Sequence, residues 1–477
     1  VGSEMCIRDR KQTSHQFAAN VARALAEPTL KIALDRTTTL LRTRRAKVID
    51  EFAEYAQARD TAEKIKDHTL DNLGHYLRQF EENALASGAR VYWAETPADA
   101  RKIVTDICKS ENAKTATRVK SMLGEEIGIA EALTDAGVER IETDLAEHII
   151  QLAGDPPSHI VMPAMHKTQE QVAELFAQKH KEPSTEQDVT SLVGSARREL
   201  RSKFMNADIS ISGANFLIAE TGSFVTVTNE GNAELTTTPP NTHIVTVGIE
   251  KMVPSLKHAA VFLRLLSRAA IGTEITQYTT FFNGPKRAGD RDGPENLHIV
   301  LVDNHRSDML SDFLRPMLRC IRCGACMNHC PVYAAVGGHA YGAVYPGPMG
   351  SVLTPAMTGM KGTKDLPNAC TLNGRCKEVC PVNIPLPDML RSLRARQFEQ
   401  DMPSGMSKWG LRAWAMLATR PALYRLGTAA SNMALRMMAR GRGKITSVPL
   451  AGGWTRTRDL PQPEAGTFMQ QYKNGRR

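Results

Sequence analysis

From residue 13 to about 66, apolar residues recur at three- and four-residue intervals, as in "TLLRTRRAKVIDEFAEYAQARD". That spacing predicts amphipathic helices, here a helical extension that packs on the domain after it. From about 67 to 305 the pattern alternates. Short β-like runs read as strands: "RVYWAE" (90–95), "TATRVK" (115–120), "HIVMP" (159–163), "HIVTVG" (243–248) and "LHIVLVDN" (297–304). Between them lie helical stretches such as "PADARKIVTDICKSE", "TDLAEHIIQLAG", "TQEQVAELFAQKH" and "SLKHAAVFLRLLSRAA". Strands alternating with helices predict an α/β domain around a largely parallel sheet. Within it, "DISISGANFLIAETGSFVTVTNEGNAE" reads as two β-rich runs joined at "AETGS", a hairpin or two neighbouring strands. "VDNHRSDMLSDFLRPMLR" reads as a helix with a polar start. The Gly- and Pro-rich "GGHAYGAVYPGPMGSVLTP" (337–355) predicts an irregular loop. From 396 on, "SKWGLRAWAMLATRPALYRLGTAASNMALRMMARGRGK" predicts basic amphipathic helices. The expected organisation is therefore a helical extension (1–66), an α/β domain (67–305), a cysteine-rich domain (306–395) and a helical tail (396–477).

Composition narrows the class. The 477 residues, 42% hydrophobic and 23% charged, suffice for two or three domains with a sizeable core. The net charge of +9 fits a solvated surface, and also attraction to acidic partners or an anionic membrane face. Neither an RNA-binding aromatic signature nor a helix-turn-helix pattern accompanies it, so nucleic acid is not an expected partner. No apolar run reaches the ~18–20 residues of a membrane span; "AAVFLRLLSRAAIG" is cut by Arg264 and Arg268. With no secretory signal visible, the expected location is cytoplasmic. The first ten residues, "VGSEMCIRDR", read as foreign to the rest, which sets Cys6 aside. Cys108, alone in a helical stretch, reads as a small buried apolar residue.

Seven of the nine cysteines fall between 320 and 380. The first motif is Cys320-x2-Cys323-x2-Cys326-x3-Cys330-Pro331, the second Cys370-x5-Cys376-x3-Cys380-Pro381. Zinc sites pair two C-x2-C hooks across a longer spacer. Three cysteines at two-residue gaps followed by Cys-Pro instead suit an iron–sulfur cubane, and in two-cluster ferredoxins the Cys-Pro thiolate serves the other cluster. Under that crossed rule Cys320, Cys323, Cys326 and Cys380 hold a 4Fe–4S cluster, leaving Cys330, Cys370 and Cys376 for a second. Asn373 stands where a fourth second-motif cysteine would be, and a carboxamide is a poor iron ligand. Three thiolates favour a 3Fe–4S cluster, or a 4Fe–4S cluster with one labile iron. Arg322, Arg375 and Lys377 lie inside the motifs, either raising cluster potentials or simply solvated.

This spacing resembles the C-terminal half of the iron–sulfur subunit of succinate dehydrogenase and fumarate reductase, which implies an α-helical ferredoxin fold over about 80 residues. A wider resemblance runs from about 15 to 470. "SGANFLIAETGSFVTVTNEGNAELTTTPPNTHIVTVGIEKMVP", "DNHRSDML", "CIRCGACMNHCPVY", "GGHAYGAVYPGPMGSVLTP" and "CKEVCPVNIPLPDMLR" look like the lactate utilisation protein B family. The resemblance implies a LUD domain related to sugar-phosphate isomerase and CoA-transferase folds. It also implies partner subunits encoded together with this one, and electron transport during oxidation of L-lactate to pyruvate. Electrons would pass to a quinone or another carrier through those partners. Members of the family often carry a complete second motif, so Asn373 is a departure that puts the nuclearity of the second cluster in question.

Glu220, Ser223, Glu230, Asn232 and His243 are candidates for a pocket at strand ends, where α/β sheets bind ligands. Equally, the two glutamates cap turns and His243 is a satisfied polar residue. A pocket of that kind would permit the alternative of a self-sufficient 2-hydroxy-acid dehydrogenase, but no flavin or nicotinamide fingerprint supplies its acceptor and no nucleophile–base pair stands out. The tail's Trp409, Trp414, Arg412, Arg420, Arg425, Arg436, Arg440 and Arg442 suit a docking face for partner subunits, or peripheral contact with a membrane.

Overall fold

The computed structural model describes residues 12–184, 186–402, 405–449, 455 and 458–475. Residues 1–10, with Cys6, lie outside them. Two compact units are present, Val1–Arg396 and Gln397–Arg477.

The first unit opens with helices α1 (Phe17–Leu25), α2 (Pro28–Asp50), α3 (Tyr55–Asp71) and α4 (Leu73–Ala86). Its strands are β1 (Arg90–Ala94), β2 (Thr115–Arg118), β3 (Glu139–Glu142), β4 (Ile209–Gly213), β5 (Phe216–Ile218), β6 (Ser223–Thr228), β7 (Thr242–Gly248), β8 (Met252–Val253), β9 (Tyr278–Phe282) and β10 (Asn296–Val302). A six-stranded parallel sheet runs in the order β1-β10-β7-β4-β2-β3. Every residue of β7 is buried, in keeping with the β-branched, mostly apolar texture of "HIVTVG". The strand period of two sorts its side chains. Ile244, Val300 and Val302 pack with Val104, Ile107 and the buried Cys108 of helix Pro97–Ser110. Val245, Val247, Ile299 and Leu301 face a second core with Leu77 and Phe80 of α4.

A smaller sheet, β8-β5-β6-β9, packs against that second core through Leu217, Phe224 and Met252. The β5–β6 turn ends at Gly222, at φ +66°, where a Cβ would lie 2.2 Å from the backbone nitrogen of Ala84. Gly222→Ala is therefore expected to cost about 3 kcal/mol or more, read as a fall in melting temperature.

Several elements depart from the reading of the sequence. "DISISG" forms β4 in the parallel sheet, and only the residues after it make the hairpin. "HIVMP" (159–163) is no strand: the N–H groups of Val161 and Met162 both donate to His159 Nδ1, at 3.1 Å, and Pro163 has no N–H. Residues 306–319 form two 3-10 turns, Asp308–Ser311 and Arg315–Arg319. The expected loop contains the helix Gly347–Thr358, buried along most of its length. Pro348 fits its first turn, where no N–H is needed, and the small residues permit close packing; a Cβ on Gly350 would lie 1.7 Å from the Tyr345 oxygen. The N-terminal helices pack on helix Leu256–Ala270, with Ile65 and Phe262 in one core. They also brace the cysteine region: Arg45 and Arg59 donate to the carbonyls of Val379 (3.1 Å) and Cys380 (2.9 Å).

The second unit contains helices Gly405–Ala418 and Pro421–Ala439, a two-stranded ribbon (Lys444–Ile445 with Leu460–Pro461) and helix Phe468–Asn474. Gly405–Ala418 has no buried residue, and Trp409 and Trp414 are 71% and 63% exposed. Among the described residues no helix is long and apolar enough to cross a membrane.

Candidate metal centre

The two cysteine motifs fold as near copies of one another. Each begins with a loop that turns through a left-handed non-glycine residue, Arg322 (φ 60°) or Leu372 (φ 57°), followed by a left-handed glycine, Gly324 or Gly374. The strained residue aims its N–H back at the first sulfur: Arg322 donates to Cys320 Sγ at 3.4 Å, Leu372 to Cys370 Sγ at 3.3 Å. Single-turn helices follow, Ala325–Asn328 and Arg375–Glu378, and the Cys-Pro cysteines Cys330 and Cys380 close each copy. Their sulfurs accept from Tyr333 N (3.5 Å) and Ile384 N (3.4 Å). A non-glycine residue at positive φ costs on the order of 1–3 kcal/mol, and occurs where function over-determines the backbone.

The last cysteine of the second copy stands with the first copy. Cys320, Cys323, Cys326 and Cys380 line one small cavity with Ile160, Met349 and Val382. Cys330, Cys370 and Cys376 are the thiols left over, and Cys370 and Cys330 both raise the Cys376 thiol. None of the eight described cysteines is in a disulfide. Burial, reinforced by neighbouring thiols, pushes Cys323 and Cys376 up to about 12 and Cys380 up to about 11. Buried sulfurs crowded this way become thiolates together only around a cationic group, so the donor set fits iron–sulfur clusters.

The two groups differ in cover. Over the first loop lie His159 and Val161, which a Cβ on Gly324 would meet at 3.1 and 3.2 Å; nothing lies within 4 Å of such an atom on Gly374. Asn373 is exposed, and its Oδ1 accepts the N–H of Arg375 at 3.3 Å, as a local turn. It occupies the place that Cys323 holds in the first copy. Arg375 and Lys377 are solvated and paired with Glu378 (2.6 Å) and Asp388 (3.1 Å). Arg322 is largely buried, pairs with Glu250 at 3.4 Å and lies 4.7 Å from the centre of the Tyr345 ring.

Next to the first group, a larger cavity of about 370 Å³ opens at the carboxyl ends of β2, β4 and β7. Among its lining residues are Lys120, Ser121, Asp144, Gly213, Thr226, Glu230, Asn232, Lys251 and Arg322. Of the residues singled out from sequence, Glu230 and Asn232 reach it. The other three stand elsewhere. Glu220 is exposed and accepts the N–H of Leu256 at the start of helix Leu256–Ala270. Ser223 accepts from Asn283 Nδ2 at 2.8 Å. His243 is 0% exposed in the core, bonded to Ser212 at 2.8 Å, and burial lowers its pKa to about 3. Lys120 and Lys251 were not picked out in the sequence, and Arg322 was noted only for its place in the cysteine motif; they follow strand ends or sit in the cysteine loop, in "RVKS", "IEKM" and "CIRC".

Beside the cavity, Arg306 joins Glu126 (2.9 Å) and Glu250 (2.5 Å) with side chains 2–5% exposed. Burial opposes the charge of Glu250, but Arg306 and Arg322 outweigh it and hold the carboxyl down at about 2. A depressed carboxyl contributes stability above its unfolded value of about 4.5, lost as pH falls toward 2. Glu250→Gln is expected to destabilise by about 3–5 kcal/mol at pH 7, because it strands buried guanidinium charge. The difference from wild type, followed by thermal denaturation, narrows below pH ~4.5.

Comparison with known proteins matches this architecture. The LUD domain family matches residues 77–302, a 4Fe-4S dicluster domain residues 316–384, and the family described as lactate utilisation protein B, C-terminal, residues 399–476. The class is thus an α/β LUD-domain protein joined to an iron–sulfur dicluster domain. Lactate utilization protein B 2 of Bacillus mycoides is 40% identical over 97% of this chain and 98% of its own length. Lactate utilization protein B of Bacillus cytotoxicus is 40% identical with the same shares covered, 97% and 98%. The Escherichia coli protein named "Uncharacterized electron transport protein YkgF" is 38% identical over 97% of each. The chain belongs to the lactate utilisation protein B family.

Proposed function

We propose that this chain is the iron–sulfur electron-transfer subunit of a system oxidising L-lactate to pyruvate. The observation that carries this reading is the pair of interleaved thiol groups inside one compact unit. Cys320, Cys323, Cys326 and Cys380 would hold a 4Fe–4S cluster. Cys330, Cys370 and Cys376 would hold a 3Fe–4S cluster, or a 4Fe–4S cluster with one labile iron. Such clusters carry one electron at a time. The protein's part is to bury the thiols, to donate N–H groups to their sulfurs, and to place Arg45 and Arg59 on the carbonyls beside Cys380. The second group lies under the thinner cover around Asn373 and Gly374, which suits exchange with a partner subunit. A quinone or another carrier would be reached through those partners.

The working division remains an extension to residue 66, a LUD domain to 305, a ferredoxin domain to 395 and a tail whose exposed Trp409 and Trp414 suit docking to partners. The expected location is cytoplasmic, with at most peripheral membrane contact. Assay of the purified chain with L-lactate and an artificial acceptor tests the reading: no turnover is expected until the partner subunits are added. Turnover by the chain alone would instead favour a self-sufficient dehydrogenase.

A further inference from the structure

The 370 Å³ cavity is placed where an open parallel sheet receives ligands. The connection after β2 leads outward to β3, at one edge of the sheet, while the connection after β4 leads the other way, to β7. The crevice between the carboxyl ends of β2 and β4 is therefore the topological switch point, where such folds bind small molecules. Residues 119–123 and 213–215, directly after those two strands, line the cavity. A Cβ on Gly213 would lie 2.7 Å from Ser121 Oγ, so glycine is what lets the two segments meet. The volume falls within the ~300–1,000 Å³ of ordinary small-molecule sites.

The Lys251 side of its lining asks for an anion; Asp144 and Glu230 line the part near Lys120. Lys251 and Lys120 both line the cavity, and among the described residues neither has a carboxylate within ion-pair distance, although Asp144 and Glu230 act on Lys120. Lys251 Nζ has only the Cys320 carbonyl, at 3.5 Å, and Lys120 only the Val161 carbonyl. Thr226, 4% exposed, lines the same cavity with its hydroxyl unpartnered. Buried charges are ordinarily paired, and buried hydroxyls ordinarily bonded. The remaining wall mixes an apolar face, with Val227, Leu266 and Ile271, and polar residues that include Asp144 and Glu230. Ile160 lines both this cavity and the one formed by Cys320, Cys323, Cys326 and Cys380. A molecule here would be a single side chain from the first thiol group.

We infer that the switch-point cavity binds a carboxylate-bearing organic molecule larger than a three-carbon acid. Lys251 holds its carboxylate, Thr226 donates to it or to a neighbouring oxygen, and the apolar wall packs its body against Ile160. A three-carbon acid satisfies the cation and leaves the apolar wall wet; an aromatic or branched 2-oxo acid satisfies both. The site stands on the cavity and its lining, independently of the lactate reading.

Phenylpyruvate and pyruvate serve as probes on the anaerobically purified, cluster-loaded chain, with inorganic phosphate and benzyl alcohol as controls. Calorimetric titration is expected to show saturable phenylpyruvate binding below about 1 mM, at least about tenfold tighter than pyruvate, and none for benzyl alcohol. Lys251→Met is expected to weaken phenylpyruvate at least about tenfold, and Thr226→Val a few-fold, with melting temperature and iron content of Thr226→Val unchanged. Bound phenylpyruvate is expected to alter the electron paramagnetic resonance line shape of the first cluster and leave the second unaltered. No binding of either acid at 10 mM, equal affinity for benzyl alcohol, binding of phosphate alone, or full affinity in both variants would each overturn the inference.

Discussion

Cys380→Ala is expected to remove the cluster of the first motif, although Cys380 belongs by sequence to the second. Iron content should fall by about four per chain, and the signal of the reduced 4Fe–4S cluster should disappear. The reason is geometric: the Cys380 side chain lines the same cavity as Cys320, Cys323 and Cys326. The reciprocal change, Cys330→Ala, should spare that signal and abolish the cluster of Cys370 and Cys376. The nearby Cys330 and Cys370 thiols raise that of Cys376, and Cys370 raises that of Cys330. Iron analysis with electron paramagnetic resonance of both variants separates the crossed assignment from a simple one. If Cys380→Ala removed only the second cluster, the interleaving would be wrong. Folding is a separate readout, since Arg59 bonds the Cys380 carbonyl, which alanine retains.

Asn373→Cys should convert the second site from three irons to four. The backbone around Asn373 already has the form that presents Cys323 in the first copy: Leu372 and Arg322 share a left-handed φ, and a left-handed glycine follows each. A cysteine there needs no new loop. It loses only the 3.3 Å bond from the Arg375 N–H to the Asn373 amide oxygen, an exposed interaction worth about 1 kcal/mol or less. The expected result is a gain of about one iron per chain, with replacement of the oxidised-state resonance of a three-iron cluster by that of a reducible 4Fe–4S cluster. A wild-type protein with two ordinary 4Fe–4S signals and nothing in the oxidised state would overturn the three-iron reading.

The cysteine motifs were legible as iron–sulfur motifs because the spacing of their first positions is local, within one loop and one helical turn, whereas the place of Cys380 beside the first motif is a matter of the fold. The interior strands were legible because a strand buried on both faces, such as β7, is rich in β-branched and apolar residues. "HIVMP" has the same apolar texture, but its amides are engaged by the His159 ring and Pro163 offers none. Gly347–Thr358 was read as a loop because glycine and proline usually mark solvent-exposed turns. Here the same small residues let a buried helix approach Tyr345 and Met327. The cavity was the least legible feature. Lys120, Thr226 and Lys251 are ordinary residues in sequence, Arg322 stood out only as part of the cysteine motif, and only the crossing of β2, β4 and β7 with the first cysteine loop brings them together. His243 shows the converse: a polar residue in an apolar run that suggested a site is held in the core by Ser212.

The most direct test of the electron-transfer role is a stopped-flow experiment on the cluster-loaded chain, mixed anaerobically with its partner subunits and L-lactate. The account predicts bleaching of the iron–sulfur absorbance at least as fast as steady-state turnover, and none when the partners are left out. Turnover of lactate by the assembled system with the clusters of this chain remaining oxidised, or bleached far more slowly than turnover, would contradict it.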